Sequence, residues 1–287
     1  MTGTKLFTLI SLTGLLGISI TGCNSSGKGD KKEKDTVVSK SEAAVIRDNE
    51  LYPFMLAGVY FFHGYGGAAN VFNSMIKPVV EGQPGTTVFA KSLQKAYSQY
   101  FMFPFKPQDD PGGADAKSTL SKYWEVNSKA ELETDLNWLL EEGHQVQYAF
   151  LRKVLDENGG AAADLEKIDL KKYDLTKESV LGLGFIKANY NDFSKAGIKA
   201  WDYARYVNNI CVAYQAGYLN RDEATAWLKK ATLAAQQSYT DWRSYYNDFL
   251  LGREFWGGGE TDTPQFAKDV NDMMEGEYSI YNYMPMN

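Results

Sequence analysis

The stretch that most constrains the fold is residues 197–219, GIKAWDYARYVNNICVAYQAGYL. It contains no proline, and glycine occurs only near its two ends, as expected where a helix starts and stops. Apolar side chains occupy most of its helical faces, which is typical of a helix packed on several sides. We therefore predict an all-α fold, an irregular helical globule of about eight helices around a buried central helix at about residues 197–216.

One narrow strip of this helix is polar. Asp202, Arg205 and Asn209 stand at positions i, i+3 and i+7, so they share one side of the helix. An unpaired charge inside a protein costs several kcal/mol, so a polar strip on a buried helix needs partners. We expect the candidate site beside this strip.

Capping residues and helical spacing predict most of the other helices. Residues 87–103 carry an apolar face at helical spacing, and Ser128 with Glu131 forms a capping box. Residues 51–62 are apolar throughout, a pattern that fits a buried helix or a buried strand; we predict a helix because no other segment indicates a sheet. The expected organisation is a signal peptide (1–22), a modified cysteine with a polar tether (23–42), an aromatic-rich helical region (43–118), a helical domain (119–258), and a short helix with a tail (259–287).

The N-terminus predicts the location of the protein. Lys5 precedes an apolar run over residues 6–20, which is shorter than the roughly 20 residues of a membrane-spanning helix. The run ends in Ile20-Thr21-Gly22-Cys23, which closely resembles the lipobox of bacterial lipoprotein signal peptides. That resemblance implies cleavage before Cys23 and acylation of Cys23, an effectively permanent membrane anchor. The other interpretation is a buried cysteine after a membrane helix.

The residues that follow Cys23 indicate a tether. Residues 24–42 are polar and of mixed charge, which is typical of a solvated linker. Asn24 follows the cysteine, and by resemblance to the enteric sorting pattern it favours the outer membrane over the inner membrane. The expected location is therefore the cell envelope, lipid-anchored and facing the periplasm.

Composition argues against several functional classes. The net charge of −6 provides no basic face for nucleic acid. With only two His and two Cys, the chain has too few ligands for a Cys/His zinc site, and no metal site or cofactor is predicted. A glycine-rich segment at residues 64–69 lacks the strand and the repeated βα units of a dinucleotide fold, so we interpret it as a turn.

Four separated motifs resemble one known family. These pieces are LNWLLEEGH (136–144), GIKAWDYAR (197–205), AGYL (216–219) and LGREFW (251–256). Together, over roughly residues 123–258, they resemble domain-of-unknown-function family 1266, a bacterial family. The resemblance implies no particular activity. Its motif residues correspond to Gly143, His144, Gly197, Trp201, Asp202, Arg205, Gly217, Arg253 and Trp256. The lipobox and the aromatic N-terminal region depart from the usual family members.

The candidate ligand pocket combines the polar strip with nearby motif residues. Its predicted members are His144, Trp201, Asp202, Arg205, Asn209, Trp242, Arg253 and Trp256. Two arginines beside tryptophan walls suit an anionic or sugar-like ligand, whereas an internal ion-pair network would give the same pattern. In particular, Asp202 is expected to meet Arg253 and Arg205 across a helix interface.

Two functional hypotheses follow. The first is a non-enzymatic envelope lipoprotein that binds a partner protein or an anionic or sugar-like ligand. The second is a periplasmic hydrolase acting on an envelope glycan or peptide. No nucleophile elbow, phosphate loop or zinc-protease motif occurs in the sequence, which favours the first hypothesis.

Overall fold

A computed structural model of the chain describes residues 44–257 and 262–287. The predicted signal peptide, Cys23 and the whole of the predicted tether (24–42) lie outside these residues. In chain order the α-helices are α1 (Tyr52–Met55), α2 (Gly58–Gly64), α3 (Ala68–Asn70), α4 (Thr87–Phe101), α5 (Ala114–Trp124), α6 (Lys129–Glu141), α7 (Gln145–Glu157), α8 (Ser179–Ala188), α9 (Lys199–Gln215), α10 (Arg221–Ser238), α11 (Trp242–Phe255) and α12 (Thr263–Glu275). A π-helix (Val71–Ile76) follows α3, and 3₁₀ turns occur at Gly160–Ala162, Leu165–Lys167 and Ile280–Asn282.

The predicted all-α class is confirmed, since no strand occurs within the described ranges. None of the helices described there is long and apolar enough to cross a membrane. Helices outnumber the eight expected because the N-terminal aromatic region contains several very short ones.

Local capping explains where the longer helices begin. Thr86 accepts a hydrogen bond from the backbone N–H of Phe89, and Ser128 accepts one from Glu131. Asn220 and Glu223 form a complete capping box at the start of α10. Each such cap satisfies a backbone donor that the helix leaves unpaired, which is worth about 1 kcal/mol.

The apolar run at residues 51–62 forms two helices where the sequence predicted one. Tyr281 donates a hydrogen bond to the carbonyl of Met55 (2.9 Å), and Tyr245 donates to that of Leu56 (2.9 Å). These tyrosine hydroxyls provide hydrogen-bond donors for the carbonyl groups at the point where α1 ends and α2 begins. The break also brings Gly58 against the Tyr281 hydroxyl, which a Cβ atom at position 58 would approach to 1.8 Å.

The central helix α9 is confirmed within one or two residues of the predicted bounds. It packs against α5, α6, α10 and α11. Its closest neighbour is α11, because Gly252 leaves room that a Cβ atom would close to 2.6 Å from Cβ of Trp201. Because α9 is buried on nearly every face, it has few polar positions, and the polar side chains that it does carry need hydrogen-bond or ion-pair partners.

Two further features position the candidate site. Helices α7 and α8 share a small apolar cluster of their own, which includes Tyr148, Leu151 and Ile186. The C-terminal tail returns to the first described residues, where Ile46 donates a backbone hydrogen bond to Tyr283 (2.8 Å) and the Tyr52 hydroxyl donates to the carbonyl of Met286 (3.0 Å).

Candidate functional site

Asp202 is the most deeply buried charge of the polar strip, with 1% of its surface exposed. His144, also buried, donates from Nδ1 to Oδ1 of Asp202. The other carboxylate oxygen, Oδ2, accepts the backbone N–H of Gln145 (3.2 Å). The carboxylate therefore joins the first turn of α9 to the junction between α6 and α7, which lies about 60 residues earlier in the chain.

Gly143 makes this junction possible. It has a φ of +58°, which favours glycine, and its N–H donates to the carbonyl of Trp138 (2.7 Å) at the end of α6. A Cβ atom at this position would lie 2.3 Å from Oδ2 of Asp202. The Gly143-His144 pair in the motif is thus explained: the glycine lets the backbone approach the carboxylate and the histidine then binds it.

Gln145 extends the junction to the segment before α9. Its side-chain Oε1 accepts the backbone N–H of Ile198 (2.8 Å). Gly197, with a φ of +66°, lies so close that a Cβ atom there would be 2.5 Å from Cε1 of Tyr148. The motif glycines at positions 143 and 197 therefore serve one purpose, the close packing of the start of α7 against the start of α9.

Three tryptophans surround the His144 ring. Trp256 lies 4.3 Å away between ring centroids, Trp138 lies 5.0 Å away and Trp201 6.5 Å away, all with edge-to-face geometry. Such contacts hold the imidazole plane in place. Of the residues assigned to the candidate pocket, His144, Trp201, Asp202 and Trp256 lie together in the structure.

Arg205 lies one turn further along α9 and has a different environment. Its guanidinium lies 4.1 Å from the ring of Trp124 and 5.2 Å from that of Trp201. Its buried Nε has no hydrogen-bond partner, and within the described ranges no carboxylate lies in ion-pair distance of it. Burial lowers the pKa of Arg205, while Tyr60, Asp202 and Asp135 act against that shift through their charges.

The expected contact between Asp202 and Arg253 does not form. Arg253 is buried, but its Nη1 donates to the hydroxyl of Thr263 (2.7 Å) and its guanidinium stacks over Phe266 at 4.3 Å. It therefore fastens the start of α12 to α11. Asn209 also turns away from the Asp202 pair, because its side-chain amide donates to Oδ2 of Asp135 on α6 (3.0 Å).

Trp242 lies elsewhere in the fold. Its indole N–H donates to the carbonyl of Met284 (2.7 Å), and its ring packs against Tyr52 and Tyr281. The physical reason is its place in the first turn of α11, whereas Gly252 and Arg253, near the candidate site, are in the last. Sequence spacing showed that Trp242 faces inward but not which end of α11 meets the site.

The space beside Asp202 is small. A polar cavity of about 80 Å³, lined in part by Glu142, Lys199 and Asp202, lies next to the carboxylate. Small-molecule sites generally occupy about 300–1,000 Å³, so this cavity has room for a few water molecules. In the part of the chain that the structure describes, no group of three or more His, Cys, Asp or Glu side chains could hold a metal ion.

Some residues of the site could not be identified from the sequence pattern. Gln145 bridges two segments, yet in sequence it is an ordinary amide following His144. Trp124 and Tyr60 approach Arg205 and Trp201 from helices α5 and α2. Tyr60 also shows the effect of the cluster: burial raises its pKa, and the nearby charges of Arg205 and Arg253 act in the opposite direction.

Comparison with known proteins gives a relative and a family. The chain is 24% identical over 148 residues to "Uncharacterized protein YbeR" of Escherichia coli (strain K12), a match that covers 50% of this chain and 59% of that protein. No solved structure matches the chain. A family model described as "Protein of unknown function (DUF1266)" matches residues 119–286. The match includes α12 and the C-terminal tail, beyond the motif region, and because it spans more than half of the sequence, the chain belongs to this family.

Proposed function

We propose that the protein is a lipid-anchored protein of the bacterial cell envelope that binds an anionic group of a partner protein or ligand at Arg205 without converting it chemically. The anchor rests on the lipobox at residues 20–23 and on the polar tether that follows it. The binding role rests on the environment of Arg205.

The observation that carries the proposal is the guanidinium of the family-motif residue Arg205, which has no ion-pair partner among the described residues. Arg205 is partly buried, its Nε has no hydrogen-bond partner, and the carboxylates of Asp202 and Asp135 accept hydrogen bonds from His144 and Asn209. Stacking on Trp124 is worth about 0.5–2 kcal/mol, but it supplies no acceptor for the N–H groups. A carboxylate or a similar anion would supply both the charge and the acceptors.

The residues around Arg205 fit a binding surface. Four aromatic side chains around Arg205 and His144 remain partly or clearly exposed: Tyr60, Trp124, Trp138 and Trp256. Tryptophan, tyrosine and arginine are the residue types that dominate the binding energy of protein interfaces. We call this set, together with Arg205, the aromatic face.

A hydrolase remains the second candidate because of the His144–Asp202 pair. An aspartate that binds Nδ1 of a histidine is the arrangement that orients a general base. Both side chains are buried, however, and the adjoining cavity of about 80 Å³ is too small for a glycan or peptide. Release of soluble fragments from cell-wall glycan or peptide by the wild type, but not by His144→Gln, would favour this alternative.

The anchor is tested by replacing Cys23 with Ala and fractionating cells that express the full chain. Wild-type protein should partition into detergent as a shortened, acylated species, and the variant should lose that species because acylation needs the thiol. A variant that still partitions as a mature, shortened protein would contradict the lipobox interpretation.

The binding role is tested by photo-crosslinking in cells with a crosslinking amino acid in place of the exposed Trp138. We expect crosslinked products that Arg205→Gln abolishes and Arg205→Lys weakens. Arg243→Gln is the matched control, because Arg243 forms a surface ion pair with Glu275 on another part of the fold. Products of equal intensity in Arg205→Gln would exclude Arg205 as the anion contact.

A further inference from the structure

A second cleft lies on the other side of Gln145 from Asp202. A groove of about 440 Å³ runs between α7 and the segment 193–197 that precedes α9. Its volume falls in the range of small-molecule sites, about 300–1,000 Å³, unlike the cavity beside Asp202. The groove does not include Arg205 or any member of the aromatic face.

Both walls of the groove are held by hydrogen bonds to side chains. On one side Gln145 binds Ile198 and Asp202, which fixes the start of α7 against the segment that ends in Gly197. On the other side the backbone N–H of Ser194 donates to Oδ1 of the buried Asp248 (3.0 Å), and its hydroxyl donates to Oδ2. The groove is therefore formed before any ligand arrives, which lowers the entropic cost of binding.

The charge of the groove is opposite to that of the protein. Arg152, Lys153 and Lys195 line it with a single carboxylate, Asp156, so it carries two net positive charges in a chain of net charge −6. Arg152 is already engaged: its Nε binds Asp156 (3.2 Å) and its Nη1 binds the carbonyl of Tyr190 (3.0 Å).

The two lysines are the available charges. Lys195 is exposed and forms no ion pair with any residue that the structure describes. Lys153 is 73% exposed and lies 4.0 Å from Glu157, at the limit of an ion pair. The lysines stand on opposite walls, one on α7 and one on the segment 193–197, so a single anionic group between them would contact both walls.

The inner part of the groove is aromatic. Tyr148 and Phe193 line it, with ring centroids 4.7 Å apart. Phe193 is partly exposed, so its ring offers an apolar surface for a flat or ring-shaped body, and the buried Tyr148 supports it from behind, while the lysines bind an anion. A phosphate monoester carries a charge of about −1.5 to −2 at neutral pH, which matches the two net positive charges of the groove.

We propose that the groove between α7 and segment 193–197 binds a phosphate monoester of a small ring-bearing molecule, with the phosphate held by Lys153 and Lys195 and the ring packed on Phe193. This site is separate from Arg205. A phosphatidic acid headgroup is also a phosphate monoester but has no ring, so the test includes it as the other source of the phosphate alone.

The experiment titrates phenyl phosphate into the full chain in detergent micelles and follows binding by calorimetry. We expect saturable binding by the wild type, and an affinity lower by about tenfold or more in Lys153→Gln/Lys195→Gln, because two charged contacts are lost. Lys229→Gln, an exposed lysine on α10, is the matched control and should bind as the wild type does. Benzyl alcohol, which has the ring without the phosphate, should not bind.

Two results would overturn the proposal: no saturable binding by the wild type, or equal affinity in the double variant and in Lys229→Gln. Both lysines are exposed, so the double variant is expected to fold, and its thermal melt checks this. Competition is measured with mixed micelles of detergent and phosphatidylcholine, with or without phosphatidic acid. Displacement of the probe only by the micelles that contain phosphatidic acid assigns the site to the lipid headgroup, and no displacement assigns it to a soluble ester. Arg205→Gln should leave phenyl phosphate binding unchanged, so this site and the Arg205 proposal can fail independently.

Discussion

Gly143 packs so closely against the Asp202 carboxylate that a Cβ atom on the glycine would stand 2.3 Å from Oδ2 of the aspartate. The carboxylate is buried and held by His144 and Gln145, so it has little freedom to move. The backbone of Gly143 in turn cannot retreat, because its N–H is bonded to Trp138 at the end of α6.

Gly143→Ala should therefore destabilise the protein strongly. Gly217→Ala is the matched control: Gly217 also has a positive φ, +76°, but no atom lies within 4 Å of the added Cβ. The control should lose about 1–2 kcal/mol for the left-handed backbone alone. Gly143→Ala should lose about 1–3 kcal/mol more, because it also displaces the carboxylate. Denaturant unfolding measures the unfolding free energy of both variants. Equal losses would show that the Asp202 carboxylate can move away from the added Cβ without cost.

Asp202→Asn tests whether the His144 pair holds the fold. Removing one partner of a buried pair typically costs about 3–5 kcal/mol of unfolding free energy. The control is Asp192→Asn, an exposed aspartate whose loss should cost little. A melting temperature of Asp202→Asn close to that of the control would contradict a structural role and would favour a role of Asp202 in ligand binding.

Cys211 should be inert towards thiol reagents in the folded protein. It is fully buried in α9, and burial raises the pKa of its thiol, so the reactive thiolate does not form. In a Cys23→Ala chain Cys211 is the single thiol. A chromogenic disulfide reagent should react with it only after denaturant is added. Rapid reaction in native buffer would show that α9 opens locally.

Asp248 should give the stability a measurable dependence on pH. Burial raises the pKa of its carboxyl group, although the hydrogen bonds from Ser194, Tyr239 and Asn247 act in the opposite direction. With a raised folded pKa, the folded state holds the proton more tightly than the unfolded state. The stabilisation by Asp248 is then present at low pH and is lost as the pH rises through the window between the unfolded and folded pKa values.

Asp248→Asn removes this titration while keeping a side chain that can bond to Ser194. The unfolding free energy of the variant relative to the wild type should therefore increase between about pH 3 and pH 7. A difference that stays constant or decreases over that range would show that the folded pKa is not raised.

Sequence patterns predicted where the helices lie in the chain, but they did not predict which side chains meet between helices. The caps at Ser128, Asn220 and Asp241 are local, so the chain alone indicates where α6, α10 and α11 begin. The spacing of Asp202 and Arg205 likewise placed both on one side of α9. Which charges meet is decided by the angle and offset between helices, and a linear pattern does not contain these.

Arg253 shows why the contacts between helices could not be predicted from sequence alone. It falls on the inner face of α11 as predicted, but it bonds to Thr263 and stacks on Phe266 of α12, not on Asp202. The partner of Asp202 proved to be His144, which the sequence placed in the same candidate pocket without predicting that the two side chains pair. The aromatic residues at 60 and 124 come from helices far away in the chain, so no local signal connected them with Arg205.

Two hydrogen bonds, from Ile46 to Tyr283 and from Tyr52 to Met286, join the first described residues to the C-terminal tail. The two ends of the described fold lie side by side, so a short linker could join residue 287 to residue 44. New termini could then open in the exposed turn near Gly85, where no neighbouring atom restricts the backbone. The order in which the helices follow one another along the chain is thus separable from the way they pack, and a circularly permuted chain should reach the same arrangement.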